Sequence, residues 1–143
     1  MMYEPRTYRL TVAPAGLVSF GVRVAETDLL ISARRDLSAE ALELVAGVRA
    51  DLEAFVAASP RFAESYVPVE VSDDAPEVVR RMAAAAHTAN VGPMAAVAGA
   101  VAEAVARGLE PLSPDVIVEN GGDIYLIGRE DRTVALWAGG SAA

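Results

Sequence analysis

The chain contains no cysteine and no lysine. Without cysteine there is no disulfide, no thiolate metal site and no thiol nucleophile, which fits a reducing compartment. Without lysine, Schiff-base chemistry and every other reaction that rests on an ε-amino group are excluded. Histidine occurs once, at His87, and no His/Asp/Glu spacing marks a metal site. Basic residues are scarce: 12 stand against 20 acidic ones, for a net charge of −8. The only basic doublets are Arg34-Arg35 and Arg80-Arg81. Phosphate-backbone recognition needs clustered cations, so nucleic acid is excluded as a partner. Long hydrophobic runs are also missing. The stretch "PMAAVAGAVA" is about half a membrane span. Glu4 and Arg6 stand where a signal peptide needs apolar residues. These absences describe a soluble, cytoplasmic protein with no membrane partner.

What is present is small and apolar. Hydrophobic residues make up 53% of the 143, mostly Ala and Val, with only 6% aromatics. A chain of this length suits one domain, residues 1–143, and buries about 70% of its extended-chain surface on folding. Small side chains imply close contacts between helices and sheet.

The order of elements follows from the patterning. Arg6 to Ala13 and Leu17 to Ala25 alternate around "PAG" and predict a hairpin, with Leu29 to Ala33 as a third antiparallel strand. Ser38 is placed to cap a helix over Ala39 to Ala58, whose Ala41, Val45, Val48, Leu52, Phe55 and Val56 share one face. Ser59-Pro60 ends it. A short strand is expected over Val67 to Val71. Pro76 suits the first turn of a second helix running to about Ala89, with Val78, Val79, Met82 and Ala86 inward. Asp73, Asp74 and Glu77 act as first-turn acids. After "NVGP" a third helix is expected from Pro93 to near Arg107, with Gly108 as its stop. That helix is apolar almost all round, so it is buried on most sides. Its Glu103 and Arg107 lie four apart and can pair. Val116 to Glu119 and Ile124 to Gly128 form a hairpin, "REDR" a polar turn, and "TVALWAG" a last strand. The whole is α+β: antiparallel sheet packed with about three helices.

Two stretches stand out as candidate binding elements. In "VENGGDIYLIG", the Gly121-Gly122 pair suits a tight turn, because glycine reaches positive φ at little cost. Its flanks, Glu119, Asn120 and Asp123, add two carboxylates and an amide that can grip a ribose or an amide edge. In "NVGPMAAVAGAVAEA", Gly92-Pro93 sets a helix start after a flexible point, and bare first-turn N–H groups favour anions by about 0.3–1 kcal/mol. Met94 follows, either as core filler or as a ligand contact. Each stretch also has a purely structural explanation, a hairpin turn and a helix break. His87 is expected at the surface or as a capping group, and no catalytic residue is assigned.

Together, "VGPMAAVAGAVAEAV" and "IVENGGDIYL" resemble the uncharacterised UPF family of ApbE-like proteins. Upstream "SFGVRVAETDLLISA" and "SPRFAESYVPV" fit it in order, so the resemblance covers about Tyr8 to Gly139. That family is similar, more distantly, to the ApbE flavin transferases, which move FMN from FAD onto a protein threonine with magnesium. The resemblance implies an ApbE-like α+β fold and a flavin or nucleotide pocket. It carries over Gly92 as the helix-start glycine and Gly121, Gly122 and Asp123 as the hairpin. The cofactor-binding set is then Gly92, Pro93, Met94, Glu119, Asn120, Gly121, Gly122 and Asp123, with FAD or FMN as ligand. Val91 replaces the transferases' lysine, and Ala95 to Ala98 lack their acidic residue. The later segment near which the transferases hold magnesium is not found in this chain, so no metal ligands are expected. The helix start and the glycine hairpin are expected to open onto one cavity. The rival expectation is a non-catalytic assembly module. In either case the chain is expected to form a homo-oligomer or to pair with a missing C-terminal segment.

Overall fold

The structure is a computed structural model that describes residues 14–129 and 131–132. Two strands come first, β1 (Val18–Val24) and β2 (Thr27–Ala33). Four helices follow: α1 (Ser38–Ala58), α2 (Pro60–Glu64), α3 (Glu77–Ala89) and α4 (Val97–Leu109). A 3₁₀ turn at Pro93–Ala96 precedes α4, and another at Glu110–Leu112 follows it. Strands β3 (Val116–Asn120) and β4 (Asp123–Ile127) close the described chain. The four strands form one antiparallel sheet in the order β1-β2-β3-β4. The fold is therefore α+β, as expected. The strand expected at Arg6 to Ala13 and the turn and strand after Gly128 lie largely outside the described residues.

The chain leaves the sheet after β2, builds every helix, and returns beside β2 as β3. Cross-strand partners share a face, so the register sorts the sheet into two sides. Phe20, Ile31, Val118 and Tyr125 stand in line across it, as do Val22, Leu29, Asn120 and Asp123. This side carries the core. Phe20, Val22, Leu29, Ile31, Val116 and Val118 pack with Ala41 and Val45 of α1, Val79 and Met82 of α3, and Val101, Val105 and Leu109 of α4. The near-continuous apolar surface of α4 follows from its place between sheet, α1 and α3. Helix α2 sends Phe62 into this core, edge-on to Phe55 with ring centres 5.1 Å apart. Burying one such ring contributes about 1.5–3 kcal/mol.

Several local expectations are corrected. Ser38 is the first residue of α1 rather than its cap. Its N–H and hydroxyl both bond the Asp36 carboxylate. Pro76 sits one position before α3. Val67 to Val71 is irregular rather than a strand, although Val69 and Val71 still pack on the core. The helix expected from Pro93 begins as a 3₁₀ turn, and Gly108 lies inside α4 rather than ending it. A Cβ on Gly108 would come within 2.6 Å of Leu44 Cδ2, so glycine there admits α1.

Two contacts fix the sheet and the helical layer. At one end, the Asp115 carboxylate is buried between β2 and β3. It accepts from Arg34 Nε at 2.8 Å and from the Arg129 backbone N–H at 3.2 Å. Ser113 joins the same knot: its hydroxyl donates to the Asp115 carbonyl at 2.6 Å and accepts from the Arg34 N–H at 3.1 Å. The Arg34 bond, then the Arg129 N–H, hold the Asp115 carboxyl below the ordinary carboxylate value. At the other end, Asn90 closes α3 in the left-handed conformation, and Gly92 passes against the backbone of Ser65 and Tyr66. A Cβ on Gly92 would overlap the Ser65 carbonyl oxygen and sit 3.1 Å from Tyr66 Cα. Neither neighbour is the end of a flexible side chain, so the backbone itself would have to move.

Gly92→Ala is expected to lower the unfolding free energy by about 2 kcal/mol or more through that overlap. Gly122→Ala, where a Cβ meets open space, is expected to stay within about 0.5 kcal/mol. Urea denaturation of both variants checks the contrast. For Asp115 the native carboxyl titrates below its unfolded value, so its stabilisation is complete above the unfolded value of about 3.9 and fades as pH falls through the native one. The melting-temperature gap between the wild type and Asp115→Asn is expected to be wide at pH 6 and to narrow steadily towards pH 2.

Candidate functional site

The hairpin tip and the start of α4 meet. Asn120 and Asp123 are direct cross-strand partners joined by Gly121 and Gly122. Gly121 takes φ +63°, as the first loop residue of a two-residue hairpin of the II′ kind requires. Asn120 and Asp123 lie on the helix side of the sheet, in line with Leu29. The Asn120 side-chain amide donates to the Ala98 carbonyl at 3.1 Å, which pins the tip to the first turn of α4. Asp123 lies over Gly99: a Cβ there would meet its Oδ1 at 3.3 Å. The close approach admitted by Gly99 is thus to a carboxylate side chain.

Glu119 is separated from this group. It pairs across the sheet with Leu30 and Ile124, so it faces the opposite side from Asn120 and Asp123. Its side chain is buried. The two carboxylates that flank the glycines in sequence are therefore divided by the plane of the sheet.

Asp123 lines a cavity of about 300 Å³ with Arg81, Glu103, Gly99 and Tyr125. Its charged wall is a chain of ion pairs. Arg81 bonds Glu77 at 2.5 Å and approaches Glu103 at 3.6 Å, and Glu103 accepts from Arg107 Nε at 2.8 Å. The Arg107 guanidinium lies over the Tyr125 ring, 5.8 Å from its centre. One end of Arg81, Nη1, is buried without a hydrogen-bond partner. The cavity presents the Asp123 carboxylate together with Glu103 and Arg81, which are engaged in the ion-pair chain. The Glu103–Arg107 pair was legible from its spacing. Arg81 and Tyr125 were not, because they come from other elements.

Gly92 and Met94 line a second cavity, of about 580 Å³, with Glu64, Ser65, Tyr66, Val91 and Ala95. Pro93 is buried beside it and opens the 3₁₀ turn that separates the two spaces. Ala95 faces the Gly92 cavity and Ala96 the Asp123 cavity. Of the expected site residues, Gly92 and Met94 line one cavity and Asp123 lines the other, on either side of one turn; Pro93, Glu119, Asn120, Gly121 and Gly122 line neither. A four-residue 3₁₀ turn is also a poorer anion site than the full helix start expected there, since its aligned dipoles are few.

His87 is exposed in the last turn of α3, away from both cavities. Among the described residues no group of three or more His, Asp or Glu side chains is placed to hold a metal ion. Among them, too, no single helix is long and apolar enough to cross a membrane. The α3–α4 pair passes only when taken together, and it is bent by 106°.

Comparison with known proteins bears on the same region. A family model described as "AbpE bacteria" matches residues 10–143. A UPF0280 protein of Methanocaldococcus jannaschii is 44% identical over 119 residues, covering 82% of this chain and 48% of its own length. A UPF0280 protein of Methanopyrus kandleri is 42% identical over 122 residues, covering 85% of this chain and 49% of its own. One from Methanococcus vannielii is 41% identical over 127 residues, with 87% and 51% covered. The chain spans about half the length of these curated relatives. A match that takes in both the Gly92 turn and the Asn120–Asp123 hairpin settles the grouping: the chain belongs to the family described as AbpE bacteria, alongside these UPF0280 proteins.

Proposed function

We propose that the chain binds a flavin- or nucleotide-like small molecule across the turn between its two cavities. The observation that carries this reading is the docking of the hairpin tip onto the first turn of α4. It sets Asp123 beside Arg81 in one cavity, immediately next to the Gly92 cavity. A ribose presents hydroxyl donors that a carboxylate accepts, and a phosphate seeks a guanidinium. Asp123 supplies the first and Arg81 the second. Gly121 and Gly122 leave the tip free of side chains that would block approach. Asn120 gives one amide hydrogen to the Ala98 carbonyl, so its part is chiefly to position the tip that carries Asp123. FAD or FMN contains the sugar, phosphate and ring that this division calls for. No group-transfer step is assigned to these residues.

One observation favours the rival reading of a non-catalytic assembly module. The contact of Gly92 with Ser65 and Tyr66 explains that glycine through packing alone. In that reading the long relatives' remaining half, or a second copy, would complete the structure. Light scattering separates the two: a stable dimer without ligand affinity supports assembly, and a monomer that binds supports the pocket.

Isothermal titration of the pure protein with FAD, FMN and ATP tests the binding reading. Saturable binding of at least one is expected, weakened about tenfold by Asp123→Ala, the loss of one charge-assisted hydrogen bond. Absence of saturation at millimolar ligand, or binding untouched by that substitution, contradicts it.

A further inference from the structure

We infer that Tyr66 is a stacking platform for a planar aromatic ring, and that the Gly92 cavity takes the ring portion of the ligand rather than its phosphate. The inference rests on the binding reading above and reverses the orientation that the sequence suggested. Tyr66 is 93% exposed, the most exposed large side chain among the described hydrophobics. Such a ring normally buries most of its surface. Its position is not the result of a loose chain. The Ser65 hydroxyl donates to the Val67 carbonyl at 2.7 Å and accepts from the Val67 N–H at 3.1 Å, bracketing Tyr66. Behind it, Gly92 presses directly on the Ser65–Tyr66 backbone. The backbone is held from two sides, while the described residues leave the ring almost wholly uncovered. A fixed backbone sets where the ring stands, and an exposed Tyr face offers a large apolar contact at the cost of only two side-chain torsions.

The chemistry of the cavity selects the ligand portion. Val91, Met94, Ala63 and Ala95 supply apolar wall, and Met94 adds a polarisable sulfur suited to ring faces. Glu64 is the one ionisable acid or base on this wall apart from the Tyr66 phenol. A phosphate would meet a carboxylate and no cation there. An uncharged or cationic ring meets no such penalty, and any phosphate is directed past Ala95 and Ala96 towards Arg81. The ligand class is therefore a ring-bearing molecule such as a flavin or a purine nucleoside, with ring at Tyr66 and polar tail at Asp123.

The test uses riboflavin and adenosine, which carry ring and sugar without phosphate, alongside FMN and FAD. Calorimetric titration is run on the wild type and on Tyr66→Ala, Tyr66→Phe and Asp123→Ala. Riboflavin or adenosine is expected to bind. Tyr66→Ala is expected to weaken binding about tenfold or more, the loss of one ring–aromatic stack. Tyr66→Phe, which keeps the face, is expected to bind as the wild type does. Because the side chain is exposed, all Tyr66 variants are expected to melt with the wild type, which separates lost affinity from lost fold. FAD or FMN binding that Asp123→Ala weakens and Tyr66→Ala leaves unchanged overturns this inference and spares the binding reading. No saturable binding of any of the four compounds overturns this inference, and no binding of ATP either overturns the binding reading with it. Tyr66→Ala that abolishes self-association and leaves ring binding intact assigns the exposed face to a protein contact and also overturns the inference.

Discussion

The pairing of β2 with β3 is the constraint on which the rest depends. These strands are separated by all four helices in sequence, yet they lie side by side from Leu29↔Asn120 to Ala33↔Val116. Closing so long an excursion costs chain entropy that grows slowly with length, and the ladder alone does not offset it. The core beneath the pair does, since Leu29, Ile31, Val116 and Val118 are completely buried against the helices. The Arg34–Asp115 knot locks the far end of the ladder. A slip of one residue would turn every side chain to the wrong face. It would also carry Asn120 and Asp123 away from α4, so register and site are set by the same contacts.

The site inherits two kinds of rigidity. At the hairpin, the amide of Asn120 and the missing side chain of Gly99 bring a strand end and a helix start together. At the turn, Gly92 fits against Ser65 and Tyr66 because it has no Cβ. In both cases an absent Cβ makes room: at Gly99 for the Asp123 carboxylate, and at Gly92 for the backbone of Ser65 and Tyr66. The abundance of Ala, Val and Gly follows from this. A chain with few large side chains builds its specificity from close contacts, and it places its few aromatics where their faces have a use. Phe55 and Phe62 meet inside, Tyr125 lies under Arg107, and Tyr66 stands outside.

Much of the fold was legible in the sequence because its signals are local. Period-two alternation marked β1, short apolar runs beside turn residues marked β2 to β4, and the spacing of Ala41, Val45 and Val48 marked α1. What was not legible depended on distant partners. Val67 to Val71 alternates like a strand and half-buries Val69 and Val71, but Pro68 lacks a ladder donor and no described neighbour pairs with it. Gly108 looked like a helix stop because the Leu44 side chain that packs against it comes from another helix. For the site, alternation alone places Glu119 on the face opposite Asn120, although the clustering of acids in the sequence suggested a joint role. Nothing in the sequence marks Tyr66 or Arg81 as facing a cavity, though Arg81 belongs to a basic doublet. One is defined by its exposure, the other by a cavity and a Glu103 contact reached across a helix interface, although its pair with Glu77 has ordinary i,i+4 spacing.

The central claim is that the hairpin tip and the turn before α4 act as two walls of one ligand site. Hydrogen–deuterium exchange measured with and without saturating FAD tests it most directly. The account predicts that residues 118–125 and residues 90–98 gain protection together, along with residues 64–67, while α1 is unchanged. Protection confined to one of the two walls, or to neither, would contradict it.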